Sequence, residues 1–248
     1  AFLLFSEQTI SGLLTLNRIP NTHYMNVTSL ERLRTTLRHE QPDRVCLDLG
    51  ATPVTGISVF ALSRLRQAVL GDAEYRVKVI EPYQMLGEIE EDLISEMGID
   101  VIGLFGEKNM FGIKNTNWKV HKTHWGQEVL FPDEFNYTYN NNGDILMYPE
   151  GDLKALPSAM MPKSGYFFDA LERQDPIDES SLSVEDNLEE FGHITDNDLA
   201  YWKNLIESTD TDSKAVVASL GGTALGDIAL VPAVGLKKPK GIRSVAEW

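Results

Sequence analysis

Asp48 with Gly50, Glu81 with Gln84, and the group Gly221, Gly222, Thr223 and Asp227 each lie at or just beyond the end of a short apolar run. Side chains in such places can do chemistry, because a strand-end carboxylate acts as general acid or base when its surroundings tune it. Asp48 can play that part, or can accept backbone N–H bonds in the turn that follows it. Gly221 and Gly222 can admit a ligand close to the backbone, or can simply make a tight turn. His121 and His124 have the H-x-x-H spacing of a metal pair, but no cysteine or carboxylate stands beside them in a ligand pattern. The chain carries no Walker loop, G-x-G-x-x-G, nucleophile elbow or Cys-x-x-Cys, so nucleotide-dependent and serine-nucleophile chemistry have no support.

The elements that must position these residues alternate. Thr28 and Glu31 form a capping box for a helix whose Leu30, Leu33 and Leu37 repeat at helical spacing. Arg38 and His39 suit its negative end, Pro42 stops it, and a short strand over residues 45–49 is closed by Gly50. Val59, Leu62, Leu65 and Val69 predict a second helix ending at Gly71, followed by a strand at 77–80. A third helix carries Ile89, Leu93, Ile94 and Met97 up to Gly98, and a strand follows at 99–105. This rhythm predicts a parallel α/β sheet.

The rhythm then breaks. Residues 137–139 and 145–148 flank an Asn-Asn-Asn-Gly run at 140–143, the signal of a hairpin closed by a type I′ turn. Residues 169–198 hold eleven acidic side chains and one basic one, Arg173, which predicts a solvated and partly irregular segment. Thr195 and Asp198 cap a helix bearing Leu199, Trp202, Leu205 and Ile206, and 214–220 predicts a further strand. Four barrel-type strands are therefore expected, half of what a (β/α)8 barrel requires. The expectation is an α/β protein, a partial TIM-type barrel representing an N-terminal half, with a hairpin-containing acidic insertion at about 106–213. Open sheet edges and apolar surface should accompany it.

Composition sets the class. Hydrophobic residues make up 42% of the chain and charged ones 24%, enough for a sizeable core. The single cysteine, Cys46, excludes an internal disulfide framework, points to a reducing cytoplasm, and has the setting of a small apolar strand residue. A net charge of −15 argues against nucleic acid and anionic membranes as partners. Lys237, Lys238, Lys240 and Arg243 form a small basic cluster, either a solvated loop or a meeting point for an anion. The first residues resemble a signal peptide, but Glu7 interrupts the apolar run and nothing basic precedes it. Residues 1–24, ahead of Met25, are read as an upstream or extraneous segment outside the domain at 25–248.

The Arg-rich first helix running into His39, Glu40, Pro42, Asp43, Arg44 and Val45 resembles the opening of uroporphyrinogen decarboxylase-like proteins. The likeness continues through residues 77–105 and returns at 221–232, so that it covers roughly 26–248. That family also includes methyltransferases that move methyl groups between corrinoids and thiols. The resemblance implies a barrel with its site at the C-terminal ends of the strands, where Asp48 could hold a pyrrole N–H. It places Glu81 as the acid that gathers pyrrole N–H groups, and GDIALVP, with Asp227, resembles the FSDI-type segment of the decarboxylases. Gly50, Gln84, Gly221, Gly222 and Thr223 would line the substrate site.

Two departures bear on activity. The decarboxylases supply arginines for the substrate's carboxylates through an RQAGRY-like segment, whereas the corresponding exit here reads LDLGATP. The methyltransferases bind zinc through His-x-Cys and a later Cys, and this chain has neither. The implied activity is tetrapyrrole-related carbon chemistry, porphyrinogen decarboxylation by resemblance. Zinc-dependent corrinoid methyl transfer and a non-catalytic fragment are the alternatives. The expected partner is a porphyrinogen, a corrinoid or a corrinoid protein, with no cofactor held by these residues and zinc and corrinoid belonging to a longer protein.

Overall fold

A computed structural model describes residues 27–187, 189–190, 193–219, 231–244 and 246. The first helix, α1 (Ser29–Leu37), has the expected capping box: the Thr28 hydroxyl accepts from the Glu31 N–H, and Glu31 accepts from the Thr28 N–H at 2.8 Å. Its buried residue is not a leucine. Arg32 is buried, while Leu37 is 68% exposed. Arg32 holds α1 to the protein through Asp43 at 2.7 Å and Asp100 at 2.6 Å.

Residues 45–49 do not form the expected strand, and Val45 is 84% exposed. The reason lies in Asp100, whose carboxylate takes the Leu47 N–H at 2.8 Å while its own N–H goes to the Leu47 carbonyl. A side chain thus occupies the place of a ladder partner, and the segment runs extended without pairing further.

Helix α2 (Val59–Leu70) starts at a Ser58 cap and stops at Gly71, whose φ of 73° is left-handed. It buries Val59, Leu62 and Arg66. Arg66 pairs with Asp92 at 2.5 Å and lies 3.7 Å from the Tyr75 ring centre, tying α2 to α3 (Glu91–Met97). Between these helices, β1 (Val79–Glu81) turns back into β2 (Leu86–Gly87) as an antiparallel pair.

Of the four strands expected in one parallel sheet, two share one. β3 (Val101–Leu104) pairs in parallel with β10 (Ala215–Ala218), Ala215 opposite Val101. β1 lies in a separate sheet, and among the described residues the small sheets do not close into a barrel. The protein mixes helix and strand. Gly103 in β3 is the point of closest approach, because a Cβ there would sit 2.1 Å from the Ala51 carbonyl oxygen. Backbone cannot yield as a side chain does, so Gly103→Ala is expected to cost at least about 2 kcal/mol, read from the urea midpoint.

The region expected as an acidic insertion, an excursion from the α/β rhythm, supplies more than half of the larger buried cluster. It contains the hairpin β4 (Lys119–Lys122) and β5 (Glu128–Phe131), then the four-stranded meander β6 (Tyr137–Tyr139), β7 (Ile145–Met147), β8 (Ala159–Met161) and β9 (Asp169–Ala170). Phe111, Ile113, Val129, Phe131, Phe135, Met147 and Phe168 pack with Val59, Leu62, Val77, Val79 and Leu93 in one cluster. The β6–β7 hairpin is present, but its loop spans residues 140–144 and only Gly143 has positive φ, at 86°. A type I′ turn needs two such residues in succession. Here the Asn140 side chain instead accepts from the N–H groups of Asn142 and Asp144, at 2.9 and 3.0 Å.

The acidic stretch is irregular over 171–183, as expected, before the short α4 (Val184–Asn187) and then α5 (Asp196–Glu207). Part of it meets the basic cluster. Arg243, buried, pairs with Glu189 at 2.9 Å and Glu190 at 2.6 Å, and Lys237 pairs with Glu150 and Asp152. These cations are matched by the chain's own acids. Among the described residues no helix is long and apolar enough to cross a membrane.

Candidate functional site

Glu81 ends β1, and Pro82 turns the chain toward β2 through Met85, which adopts a left-handed φ of 57°. The turn folds over the carboxylate, which accepts the Tyr83 N–H on one oxygen and the Gln84 N–H on the other, both at 2.8 Å. The residue is 8% exposed, and among the described residues it has no ion pair. Burial pushes its pKa up to about 7, against the two backbone N–H groups of Gln84 and Tyr83, which pull it down. A carboxyl titrating near neutrality can exchange a proton or accept from a ligand, because each oxygen keeps an unused lone pair.

Asp48 makes the turn contacts that were one of its two expected roles. Its Oδ1 accepts the Ala51 N–H at 3.2 Å and the Thr55 hydroxyl at 3.1 Å, closing the turn that leads into the 3₁₀ segment Pro53–Thr55. Gly50, with φ 80°, lets that turn pass over the start of α3, where a Cβ would lie 2.5 Å from Ile89 Cγ1. Gln84 contributes its backbone N–H to Glu81, and its side chain is exposed.

The Asp48 loop and the Glu81 turn are brought side by side. The Val59 N–H bonds the Met85 carbonyl at 2.8 Å, and the Gly87 N–H bonds the Ile57 carbonyl at 3.0 Å. No hydrogen bond joins the two carboxylates. Gly221, Gly222, Thr223 and Asp227 lie outside the described residues.

The aromatic rings of the excursion back the Glu81 turn. Tyr83 meets Phe111 at 6.4 Å between centres, Phe111 meets Phe168 at 6.2 Å, and Phe168 meets Phe135 at 6.3 Å. Phe135 stacks on Phe131 at 3.9 Å, and Phe131 meets the edge of His121 at 5.3 Å. The Phe168 N–H also bonds the Tyr83 carbonyl at 2.7 Å, so the excursion holds the turn by backbone as well as by rings. Sequence reasoning missed this support. Its signal was the run of rings at 131, 135, 137 and 139 inside a stretch read as an insertion.

The two histidines have different neighbours. His121 lies on β4 with Nδ1 3.0 Å from the Tyr137 hydroxyl, whereas His124 sits edge-on against Trp125. Among the described residues no group of three His, Cys, Asp or Glu side chains could hold a metal ion. Cys46 is half-buried, and burial together with the Asp100 carboxylate pushes its thiol pKa up, away from the reactive thiolate. The loop that follows it, 47–53, contains no cation.

No family model matches the chain, and neither the curated proteins nor the solved structures contain a match.

Proposed function

We propose that this chain is a uroporphyrinogen decarboxylase-like protein whose Glu81 accepts the pyrrole N–H groups of a porphyrinogen. The observation that carries the reading is a buried carboxyl at the end of β1, without a cation, poised near pH 7. Backbone N–H groups fix one lone pair of each oxygen and leave the others for donors arriving together. A porphyrinogen offers such donors, four pyrrole N–H groups around one ring. Ionised Glu81 would draw them to one face and oppose the positive charge that develops when a ring carbon is protonated. That charge is what allows an acetate arm to lose CO2. In the same reading, β3, the crossover through α5 and parallel β10 form one unit of the family's barrel.

One observation favours corrinoid methyl transfer instead. The loop at 47–53 has no arginine to meet the carboxylates of a porphyrinogen. The two ligands differ at the atoms Glu81 would touch, because the ring nitrogens of a corrinoid bind cobalt and carry no hydrogen. Calorimetric titration of the 248-residue chain with uroporphyrinogen, kept reduced without oxygen, and, separately, with hydroxocobalamin distinguishes them. The expected result is saturable uroporphyrinogen binding and none of cobalamin. Cobalamin binding alone would transfer the case to methyl transfer, and binding of neither would remove the tetrapyrrole reading.

A further inference from the structure

On the far side of the aromatic core from the Glu81 turn, the excursion opens a cleft of about 310 Å³ lined by Lys119, His121, Phe131, Phe135, Asn136 and Tyr137. Strand register builds it. Lys119 lies opposite Phe131, and His121 opposite Val129, so the two polar side chains share the sheet face that carries the rings. Phe135 and Tyr137 join that face at the start of β6, their rings 6.0 Å apart. Behind the cleft the rings close up and leave only about 10 Å³ empty, too little for any ligand. The open cleft is at the lower end of small-molecule sites, the size of one or two rings.

Its polar groups are arranged as donors. Burial holds the His121 pKa below its ordinary value, so the ring is neutral at pH 7 and carries a single N–H. Burial also raises the Tyr137 hydroxyl, which keeps its proton and can donate it to His121 Nδ1 at 3.0 Å. His121 then presents Nε2–H, and among the described residues no hydrogen bond takes it. The Lys119 ammonium gives one hydrogen bond to the Asp133 carbonyl and has the Asp133 carboxylate at 3.4 Å, which leaves a donor over. The Asn136 amide is committed to the Gly151 carbonyl at 2.9 Å. The Lys119 ammonium, shared among the described residues only with the solvent-exposed Asp133 carboxylate, and one neutral N–H beside several rings suit a carboxylate on a flat apolar body.

We propose that this cleft binds a small aromatic carboxylate, its ring against Phe131 and Tyr137 and its carboxylate taken by Lys119 and the His121 ring N–H. The site is separate from the Glu81 turn and stands whether or not a porphyrinogen binds there.

Calorimetric titration of the 248-residue chain with benzoate and indole-3-carboxylate tests it, with cyclohexanecarboxylate and benzyl alcohol as the contrasts. For ligands this small a Kd of about 1 mM is the expected scale. The aromatic carboxylates should bind at least tenfold more tightly than either contrast. Lys119→Met, at an exposed position that leaves the core intact, should weaken them about tenfold or more. Tyr137→Phe should weaken them less, with circular dichroism confirming that the sheet is retained. Absence of saturable binding by both aromatic carboxylates would overturn the proposal. So would affinity unchanged by Lys119→Met, or cyclohexanecarboxylate binding as tightly as benzoate.

Discussion

Asp100→Ala is expected to lower folding stability by about 3–5 kcal/mol, the range for removing one member of a buried ionic cluster. The Asp100 side chain is fully buried and accepts from Arg32 at 2.6 Å, from Arg44 at 2.8 and 2.9 Å, and from the Leu47 N–H. Its loss leaves Arg32 inside the protein with Asp43 as its one carboxylate and strands the Leu47 N–H. It also removes the side-chain link from α1 to the start of β3 and leaves the 45–49 segment held there by the backbone bond to the Leu47 carbonyl. Urea unfolding at pH 7 measures the effect, and a loss below about 1 kcal/mol would mean that the cluster is dispensable.

Burial alone would raise the Asp100 carboxyl, but the Leu47 N–H, the Ser29 hydroxyl and the Arg44 guanidinium together hold it below the ordinary 3.8. A depressed carboxyl stabilises the fold above its unfolded pKa and loses that contribution as pH falls through the folded value. Acid should therefore weaken the wild type below about pH 4 and have less to remove from Asp100→Ala.

Glu81→Gln is expected to act with the opposite sign in pH. The folded protein holds the Glu81 proton up to about pH 7, while the ordinary value is 4.5, so the folded state binds more protons between these limits. Stability then falls as pH rises from 4.5 through 7, by roughly 3 kcal/mol in total. Glutamine stays neutral and should flatten that slope. The variant loses one acceptor for the Tyr83 or Gln84 N–H, which costs about 1 kcal/mol at every pH. Below pH 5 it should be slightly less stable than the wild type, and above pH 8 it should be more stable. Parallel slopes for the two proteins in urea unfolding from pH 5 to 8 would show that Glu81 does not titrate in this range.

How far the sequence was legible depends on how local the signals were. The Thr28 capping box, the stop of α2 at Gly71 and the β6–β7 hairpin each depend on residues within a few positions, and each is present. The strand at 45–49 was not legible. What decides it is Asp100, more than fifty positions away, taking the Leu47 N–H with its side chain. The leucine face of α1 misled for the same reason, because Arg32 finds Asp43 and Asp100 and goes inside.

The excursion was misjudged most. Its acidic half concealed that Phe111, Phe131, Phe135 and Phe168 converge on Val77, Val79 and Met85. At the candidate site the sequence could name Glu81 from its place after an apolar run. Its burial and its lack of a cation depend on the 82–85 turn and on the rings behind it. Asp48 looked equally able to act, and one of its oxygens accepts within its own turn.

The most direct test is uroporphyrinogen affinity, measured without oxygen from pH 6 to 8 for the wild type and for Glu81→Gln. If an ionised Glu81 accepts pyrrole N–H groups, wild-type binding tightens as pH rises through about 7, while the variant binds at least tenfold more weakly at pH 8 and shows no such rise. Equal affinities with the same pH dependence in both proteins would contradict the account.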